Sequence, residues 1–219
     1  CDPNMLPEGH PHRASLCYDY FLPGYEVVLQ HDYDSPEWYA WLETQGYPRE
    51  ICNRETMYAP CVPAEGRGTH LPLYYPARYK AEHSEARFLT MKTVEHLSRQ
   101  EGTPWFFSLN YIKPHGPYIC PEPYHALYAP ETMPEPVRRP EEYENRHPYI
   151  SRCLNNWSQK ELFAESEWRE MRACYYGMIT ELDDCIGLLF AYLKFSRQWD
   201  NTLIIFSSDH GTYLGDHYL

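Results

Sequence analysis

An adjacent carboxylate and imidazole follow the best strand candidate of this chain. Asp209 and His210 follow residues 202–207 after one intervening serine, and Gly211, which can bend the backbone away from that run, comes next. An oxygen ligand beside a nitrogen ligand suits zinc, manganese or calcium, in decreasing order of tolerance for nitrogen. The two side chains can turn toward a common cation. On these residues alone, the alternative is that Asp209 caps a turn and His210 is an ordinary polar residue.

A second group of reactive side chains lies earlier in the chain. His115 stands between Pro114 and Gly116, and Lys113 precedes it by two residues. A histidine titrates near neutral pH and can give a proton to a leaving oxygen, while a lysine can pair with an anionic ester. We predict that His115 is catalytic and that Lys113 and His115 bind substrate. The simpler alternative is a rigid surface turn with a solvated histidine.

The Asp-His dipeptide occurs again at Asp216 and His217, just after Gly215. Side chains next to a metal site can hold the ligands in orientation through hydrogen bonds. We predict this orienting role for Gly211, Asp216 and His217. A polar turn without a role in binding is the alternative.

The elements that must position these clusters alternate between helix and strand. Ser84 can cap a helix that ends near Gly102, and a long helix is predicted from about Ser166 to Phe195. The apolar runs 105–112 and 202–207 favour buried strands. This order predicts an α/β fold with a largely parallel, mixed sheet flanked by helices, in which ligands bind beyond the carboxyl ends of the strands.

The predicted helices carry apolar faces. In the first, the face consists of Phe88, Met91, Val94 and Leu97. In the long helix it consists of Trp168, Met171, Tyr175, Ile179, Leu182, Ile186, Leu189 and Leu193.

The chain reads as part of one domain with two unequal regions. Residues 1–82 are rich in proline and tyrosine and predict an irregular insertion, apart from a helix that Ser35 caps and that runs to Gly46. Residues 83–219 form the α/β core portion, within which 116–150 are expected to follow the surface.

Charge and cysteine content limit the function. The net charge of -12 disfavours nucleic acid and broad anionic surfaces, so an anionic substrate needs a local cation. No run is long enough for a membrane span. The eight cysteines include no CxxC pair, and we expect mostly free thiols. We favour a cytoplasmic location, and a secreted or periplasmic one stays open because the sequence does not begin with Met.

Two segments resemble the sulfatase branch of the alkaline phosphatase superfamily, and within it the arylsulfatases and phosphonate monoester hydrolases. Residues 105–128 read WFFSLNYIKPHGPYICPEPYHALY, and residues 175–219 contain a TLIIF run followed by SDHG and LGDH. Together they cover about a third of the chain. Residues 32–51 show a weaker likeness.

The resemblance implies a metal-dependent hydrolase of sulfate, phosphonate or phosphate monoesters. By position it makes Asp209 and His210 ligands of one divalent metal ion, with calcium or manganese ahead of zinc, and it places His115 against the scissile ester. Gly116 replaces a residue that is usually bulkier or acidic, which would widen this side of the pocket. The expected partner is a small anionic ester substrate; a homo-oligomer is compatible with the sequence.

The nucleophile that the resemblance implies, a formylglycine made from Cys (or a Ser) within C-x-P/A-x-R, is not found in this chain. Cys1 and Cys61 each begin C-x-P, but neither has Arg at the fifth place. A lysine expected beyond SDHG would fall past Leu219. We therefore expect an incomplete catalytic domain that is inactive alone. The alternatives are a phosphodiesterase or phosphotransferase of the same superfamily, and a catalytically silent, sulfatase-like binding module.

Overall fold

The computed structural model describes residues 26–31, 34–66, 72–100, 102–144, 146–148, 150–151 and 167–218. In these ranges the helices are α1 (Pro36–Thr44), α2 (Arg54–Met57), α3 (Glu85–Ser98) and α4 (Glu167–Phe195). Short 3-10 turns lie between and after them: Arg49–Ile51, Pro72–Tyr74, Ala81–His83, Tyr124–Ala126, Pro130–Thr132, Pro140–Tyr143, Trp199–Asn201 and Asp216–Tyr218. Cys1 and the predicted helix start at Ser166 lie outside the described residues.

Helix α1 begins and ends close to where the sequence predicts. Pro36 occupies its first position, where the missing N–H costs no hydrogen bond, and Gly46 follows the helix with a φ of 93°. The predicted Ser35 cap differs, because the Ser35 hydroxyl donates to Glu85 Oε1 at 2.7 Å instead of accepting from the helix. Trp38 is fully buried in the resulting core.

Helix α3 has the predicted cap, and Phe88 and Leu97 of its predicted apolar face are buried. Ser84 Oγ accepts from the Arg87 N–H at 3.2 Å, which confirms the cap. Met91 is 50% exposed, whereas Thr90 and Thr93 are buried. Each threonine hydroxyl donates to the carbonyl four residues earlier in its own helix, so burial leaves no donor unpaired.

Helix α4 also turns a neighbouring face inward. Its buried residues include Met171, Cys174, Met178, Glu181 and Cys185, spaced three and four apart. The predicted apolar face lies one residue further round over much of the helix, and its member Ile179 is 43% exposed. The prediction of the helix was right. The prediction of its buried face was wrong between Cys174 and Cys185. Apolar residues cover more of the circumference of the helix than its neighbours can bury, so the sequence does not determine which of them face inward.

A glycine allows close packing in the middle of α4. A Cβ at Gly177 would lie 2.4 Å from the Tyr124 carbonyl oxygen and 3.1 Å from Cys120 Sγ. The 3-10 turn Tyr124–Ala126 therefore packs directly on the helix backbone. This contact fixes the chain that follows the His115 loop.

The predicted strands at 105–112 and 202–207 have no ladder partner in the part of the chain that the structure describes. Both segments are non-helical, and several of their apolar side chains are exposed, Leu203 at 86% and Phe206 at 77%. A strand is defined by its hydrogen-bonded neighbour. The sheet therefore stays a prediction.

One buried cluster joins the two predicted regions. It contains Trp38, Leu42, Met57 and Tyr79 from before residue 82, and Phe88, Leu89 and Ile119 from after it. The segment 34–79 is thus packed on the core. The boundary at residue 82 remains a prediction.

Candidate active site

The His115 and His210 rings lie close together although the two residues are far apart in sequence. Their ring centroids are 6.4 Å apart, with an interplanar angle of 67°. Both side chains are exposed, so the space between them opens to solvent. The structure therefore brings the two clusters of the sequence, one around His115 and one around Asp209, to a single surface.

Each of these histidines bonds to the carbonyl of the glycine that follows it. His115 Nδ1 lies 2.8 Å from Gly116 O, and His210 Nδ1 lies 2.9 Å from Gly211 O. A carbonyl oxygen only accepts, so in both rings Nδ1 carries the proton. The neutral ring then has its lone pair on Nε2, which can bind a metal ion or exchange a proton.

Asp209 and His210 bring a carboxylate oxygen and a ring nitrogen close together. His210 Nε2 lies 3.4 Å from Asp209 Oδ2, while Asp209 Oδ1 accepts from the His210 backbone N–H at 2.9 Å. With metal–ligand bonds of about 2.0–2.6 Å, two ligands at right angles would be roughly 3–3.5 Å apart. The donor set therefore fits a divalent cation.

The described residues supply only part of a metal site. The Asp209 and His210 side chains are 84% and 65% exposed. No group of three or more His, Cys, Asp or Glu side chains in the described ranges could hold a metal ion. Any further ligands of a complete site must come from elsewhere.

The sequence reasoning missed two features of this loop. Ser208 Oγ donates to the His210 carbonyl at 2.6 Å and closes the turn. Gly211 contributes its carbonyl to His210, and it does not have a positive φ. The signal in the sequence was the repeated His-Gly dipeptide, which supplies a ring and a carbonyl acceptor in adjacent residues.

Lys113 does not lie on this surface. Its Nζ donates to Glu181 Oε2 at 2.6 Å, and the two side chains are 5% and 1% exposed. Burial alone would lower the pKa of Lys113, but the charge of Glu181, the neighbouring Tyr79 and the hydrogen bond to Glu181 together outweigh burial, and the net pKa is raised. A buried lysine paired with a carboxylate is not available to an ester on the surface, so this placement speaks against the predicted substrate-binding role.

Asp216 and His217 fasten the last loop to the rest of the molecule. Asp216 Oδ1 accepts from Arg172 Nη2 at 2.5 Å and from the Val137 N–H at 2.8 Å. His217 Nδ1 lies 2.9 Å from Glu142 Oε1. These contacts hold the loop that follows His210. The orienting role predicted for Gly211, Asp216 and His217 stays a prediction.

Comparison with known proteins adds an independent line of information. Residues 28–219 match the family model described as Sulfatase. The multifunctional alkaline phosphatase superfamily protein PehA of Trinickia caryophylli is 36% identical over 213 residues, covering 90% of this chain and 40% of that protein. An arylsulfatase of Clostridium perfringens is 29% identical over 147 residues, covering 65% of this chain and 29% of that enzyme.

Two solved structures are similar over nearly the whole chain. The phosphonate monoester hydrolase SpPMH from Silicibacter pomeroyi superposes with a TM-score of 0.82 at 31% identity and covers 99% of this chain. The phosphonate monoester hydrolase of Agrobacterium radiobacter gives 0.83 at 28% identity and 100% coverage. This chain spans 44% of each of those chains.

Proposed function

Because the chain belongs to the sulfatase family, we propose that it forms part of a metal-dependent hydrolase of sulfate, phosphonate or phosphate monoesters. The observation that carries the proposal is the approach of the His115 and His210 rings to 6.4 Å. An ester held by a cation on Asp209 and His210 would therefore lie next to the His115 ring, where its leaving oxygen can come within hydrogen-bond reach of His115.

Asp209 and His210 would hold a divalent cation. Such an ion, when bound, supplies positive charge for the non-bridging oxygens of the ester and lowers the pKa of a nucleophilic hydroxyl. An oxygen ligand and a nitrogen ligand are compatible with calcium, manganese or zinc, and the resemblance to the sulfatases favours calcium or manganese. A local cation also explains how a chain with a net charge of -12 can attract an anion.

His115 would act on the leaving group. The Gly116 carbonyl keeps the proton on Nδ1. Protonated His115 then gives its Nε2 proton to the departing alkoxide or phenoxide and is left as the neutral ring. Proton transfer of this kind contributes about 10²–10⁴-fold to the rate.

The segments 105–112 and 202–207 would be strands of a largely parallel sheet. Their exposed apolar side chains support this arrangement, because Leu203, Ile205 and Phe206 would be covered once neighbouring strands and helices pack on them. Asp209 would then lie just beyond the carboxyl end of its strand, where ligands bind in such sheets.

The full-length protein, loaded with manganese or calcium, tests the function. We expect it to hydrolyse an aryl sulfate or an aryl phosphonate monoester. His115→Ala should lower kcat/KM by about 10²–10⁴-fold on a substrate with a poor leaving group. The metal content should not change, because His115 is not one of the proposed ligands.

His96→Ala is the matched control, because it removes a histidine of helix α3 whose ring contacts Phe107, and it should leave turnover unchanged. Turnover of neither ester by metal-loaded wild type would instead support a catalytically silent binding module. Wild-type rates in His115→Ala would refute the role of His115.

A further inference from the structure

A buried ion pair lies directly behind the loop that carries His115. Lys113 precedes His115 by two residues, and Glu181 lies on α4, 68 residues away in sequence from Lys113. The Lys113 ammonium also donates to the Tyr79 hydroxyl at 3.3 Å and lies 5.5 Å from the centre of the Tyr79 ring. Tyr79 belongs to the buried cluster that also contains Trp38. The Lys113 ammonium is thus bound by Glu181 on α4 and by Tyr79 in the buried cluster.

The His115 loop is anchored at both ends. Before it, Lys113 is tied to α4 through Glu181, and the His115 N–H donates to the Ile112 carbonyl at 2.9 Å. After it, Ile119 and Cys120 are completely or almost completely buried. Between these anchors His115 itself is exposed. A change at either anchor therefore moves the imidazole relative to Asp209 and His210.

The pair is not well explained by stability alone. Two ions lose their hydration on burial, and replacing such a pair with apolar residues of similar volume is often neutral or stabilising. Here Glu181 Oε1 has no hydrogen-bond partner among the described residues, so the carboxylate is only partly satisfied. Unlike an apolar contact, the pair is directional, because a charged hydrogen bond of 2.6 Å holds the Lys113 ammonium in one position relative to Glu181.

We infer that Lys113 and Glu181 are positioning residues that hold His115 at the distance from Asp209 and His210 that one ester group requires. This inference rests on the proposed function. The two residues act through the backbone between Lys113 and His115 and do not touch substrate. A displacement of a reacting group by about 1 Å can cost about 10²-fold in rate, so a small shift of this loop would be measurable.

The test compares leaving groups in the full-length, metal-loaded enzyme. In Lys113→Met/Glu181→Leu the pair is replaced by apolar side chains, which should keep the protein folded. We expect kcat/KM to fall by about 10- to 100-fold for an ester with a poor leaving group and by less than about threefold for an activated aryl ester, since only the former needs the proton of His115. Most of the fall should be in kcat, and the metal content should not change.

A combination of variants distinguishes misplacement of His115 from a general loss of folding or activity. In an enzyme that already carries His115→Ala, adding Lys113→Met/Glu181→Leu should cause no further loss, because the group being positioned is absent. Glu181→Gln keeps the shape of the side chain without its charge and should show the same dependence on leaving group.

One control variant tests the effect of lower stability, and the other tests the effect of losing an ion pair. Tyr58→Phe removes a partly buried hydroxyl that donates to Glu85, so it lowers stability without changing a residue of the His115 loop. Lys92→Met removes the lysine of an exposed ion pair with Glu95. Both should retain the wild-type dependence on leaving group.

Three results would overturn the inference. The first is an equal loss on both esters, or a loss that adds fully to that of His115→Ala. The second is wild-type kinetics in the double variant. The third is a failure to fold in both the double variant and Glu181→Gln, which would assign the pair to stability. An inactive wild type would instead overturn the proposed function, and the inference with it.

Discussion

The local chemistry of the site depends on which ring nitrogen of each histidine carries the proton. His115 and His210 reach the same state by the same means, a hydrogen bond from Nδ1 to the carbonyl of the following glycine. In His210 this leaves Nε2 beside Asp209 Oδ2, as a metal ligand requires. In His115 it leaves Nε2 for proton transfer. The same type of hydrogen bond thus prepares His210 for its proposed role as a metal ligand and His115 for its proposed role in proton transfer.

Removal of the Asp209 carboxylate tests the ligand assignment. Asp209→Ala in the full-length enzyme should abolish metal retention and turnover together, because one imidazole cannot replace the lost oxygen ligand. Metal content by elemental analysis and turnover of an aryl ester are the measurements. Asp200→Ala removes an exposed carboxylate from the nearby 3-10 turn and should leave both unchanged. A bound metal and normal turnover in Asp209→Ala would refute the assignment.

The sequence identified the residues of this surface but not the state of every side chain. Asp209, His210 and His115 could be selected because their types and their places after apolar runs point to chemistry. Lys113 was selected on the same grounds, yet it is buried against Glu181. That partner lies 68 residues away on a helix whose inward face was predicted one residue out, so the pairing could not be read from the sequence.

At the scale of elements, helix α4 organises the described structure. Its buried face contacts α3 and the turns around Tyr124 and Pro130, and Arg172 binds the Leu214 and Pro134 carbonyls at 3.0 and 2.8 Å. The same helix provides Glu181 for Lys113. Helix α4 therefore contacts the chain on both sides of the candidate site. Its existence followed from its length and apolar content, but which face is buried depends on partners that are distant in sequence.

Two glycines on α4 provide a matched test of this packing. Gly177→Ala would place a Cβ 2.4 Å from the Tyr124 carbonyl oxygen and should lower the free energy of unfolding by roughly 1–3 kcal/mol. Gly187 has no neighbouring atom within 4 Å of an added Cβ, and Gly187→Ala should raise that free energy by about 0.5–1 kcal/mol through helix propensity.

Urea unfolding of the full-length protein, followed by circular dichroism, measures both effects. The two substitutions add the same methyl group to the same helix, so their difference reports the local packing alone. Equal effects of the two alanines would contradict the close approach of the Tyr124–Ala126 turn to α4.

At the scale of the whole molecule, the sulfatase resemblance read from the sequence is confirmed by the family match over residues 28–219 and by the two superposed hydrolase structures. Within the described residues no helix is long and apolar enough to cross a bilayer. The predicted sheet stays a prediction, because 105–112 and 202–207 have no ladder partner among the described residues. A helix carries its hydrogen bonds within itself, whereas a strand depends on a partner that is distant in sequence, so a local pattern predicts helices better than strand pairing.

Buried and partly buried tyrosines predict a loss of stability at alkaline pH. Burial raises the pKa of Tyr111 to about 12 and also raises the pKa of Tyr39, Tyr58, Tyr79 and Tyr124 above the ordinary value of about 10. The folded protein therefore holds these phenolic protons more tightly than the unfolded chain. Their contribution to stability is complete below about pH 10 and is lost as the pH rises through 12.

Absorbance of tyrosinate and circular dichroism, recorded together during an alkaline titration, check this expectation. Exposed tyrosines should ionise first, and the buried ones should ionise only as the helical signal disappears. Ionisation of all tyrosines in one step near pH 10, with the helices intact, would show that these phenols are not buried.

The exposed apolar run at Leu203, Ile205 and Phe206 has a practical consequence for handling the protein. An extended hydrophobic segment with unpaired backbone groups is a template for pairing with another chain. Copies of the chain in which this run stays uncovered would associate with one another through it and precipitate as their concentration increases. Monodisperse preparations should therefore require another polypeptide surface packed against Leu203, Ile205 and Phe206.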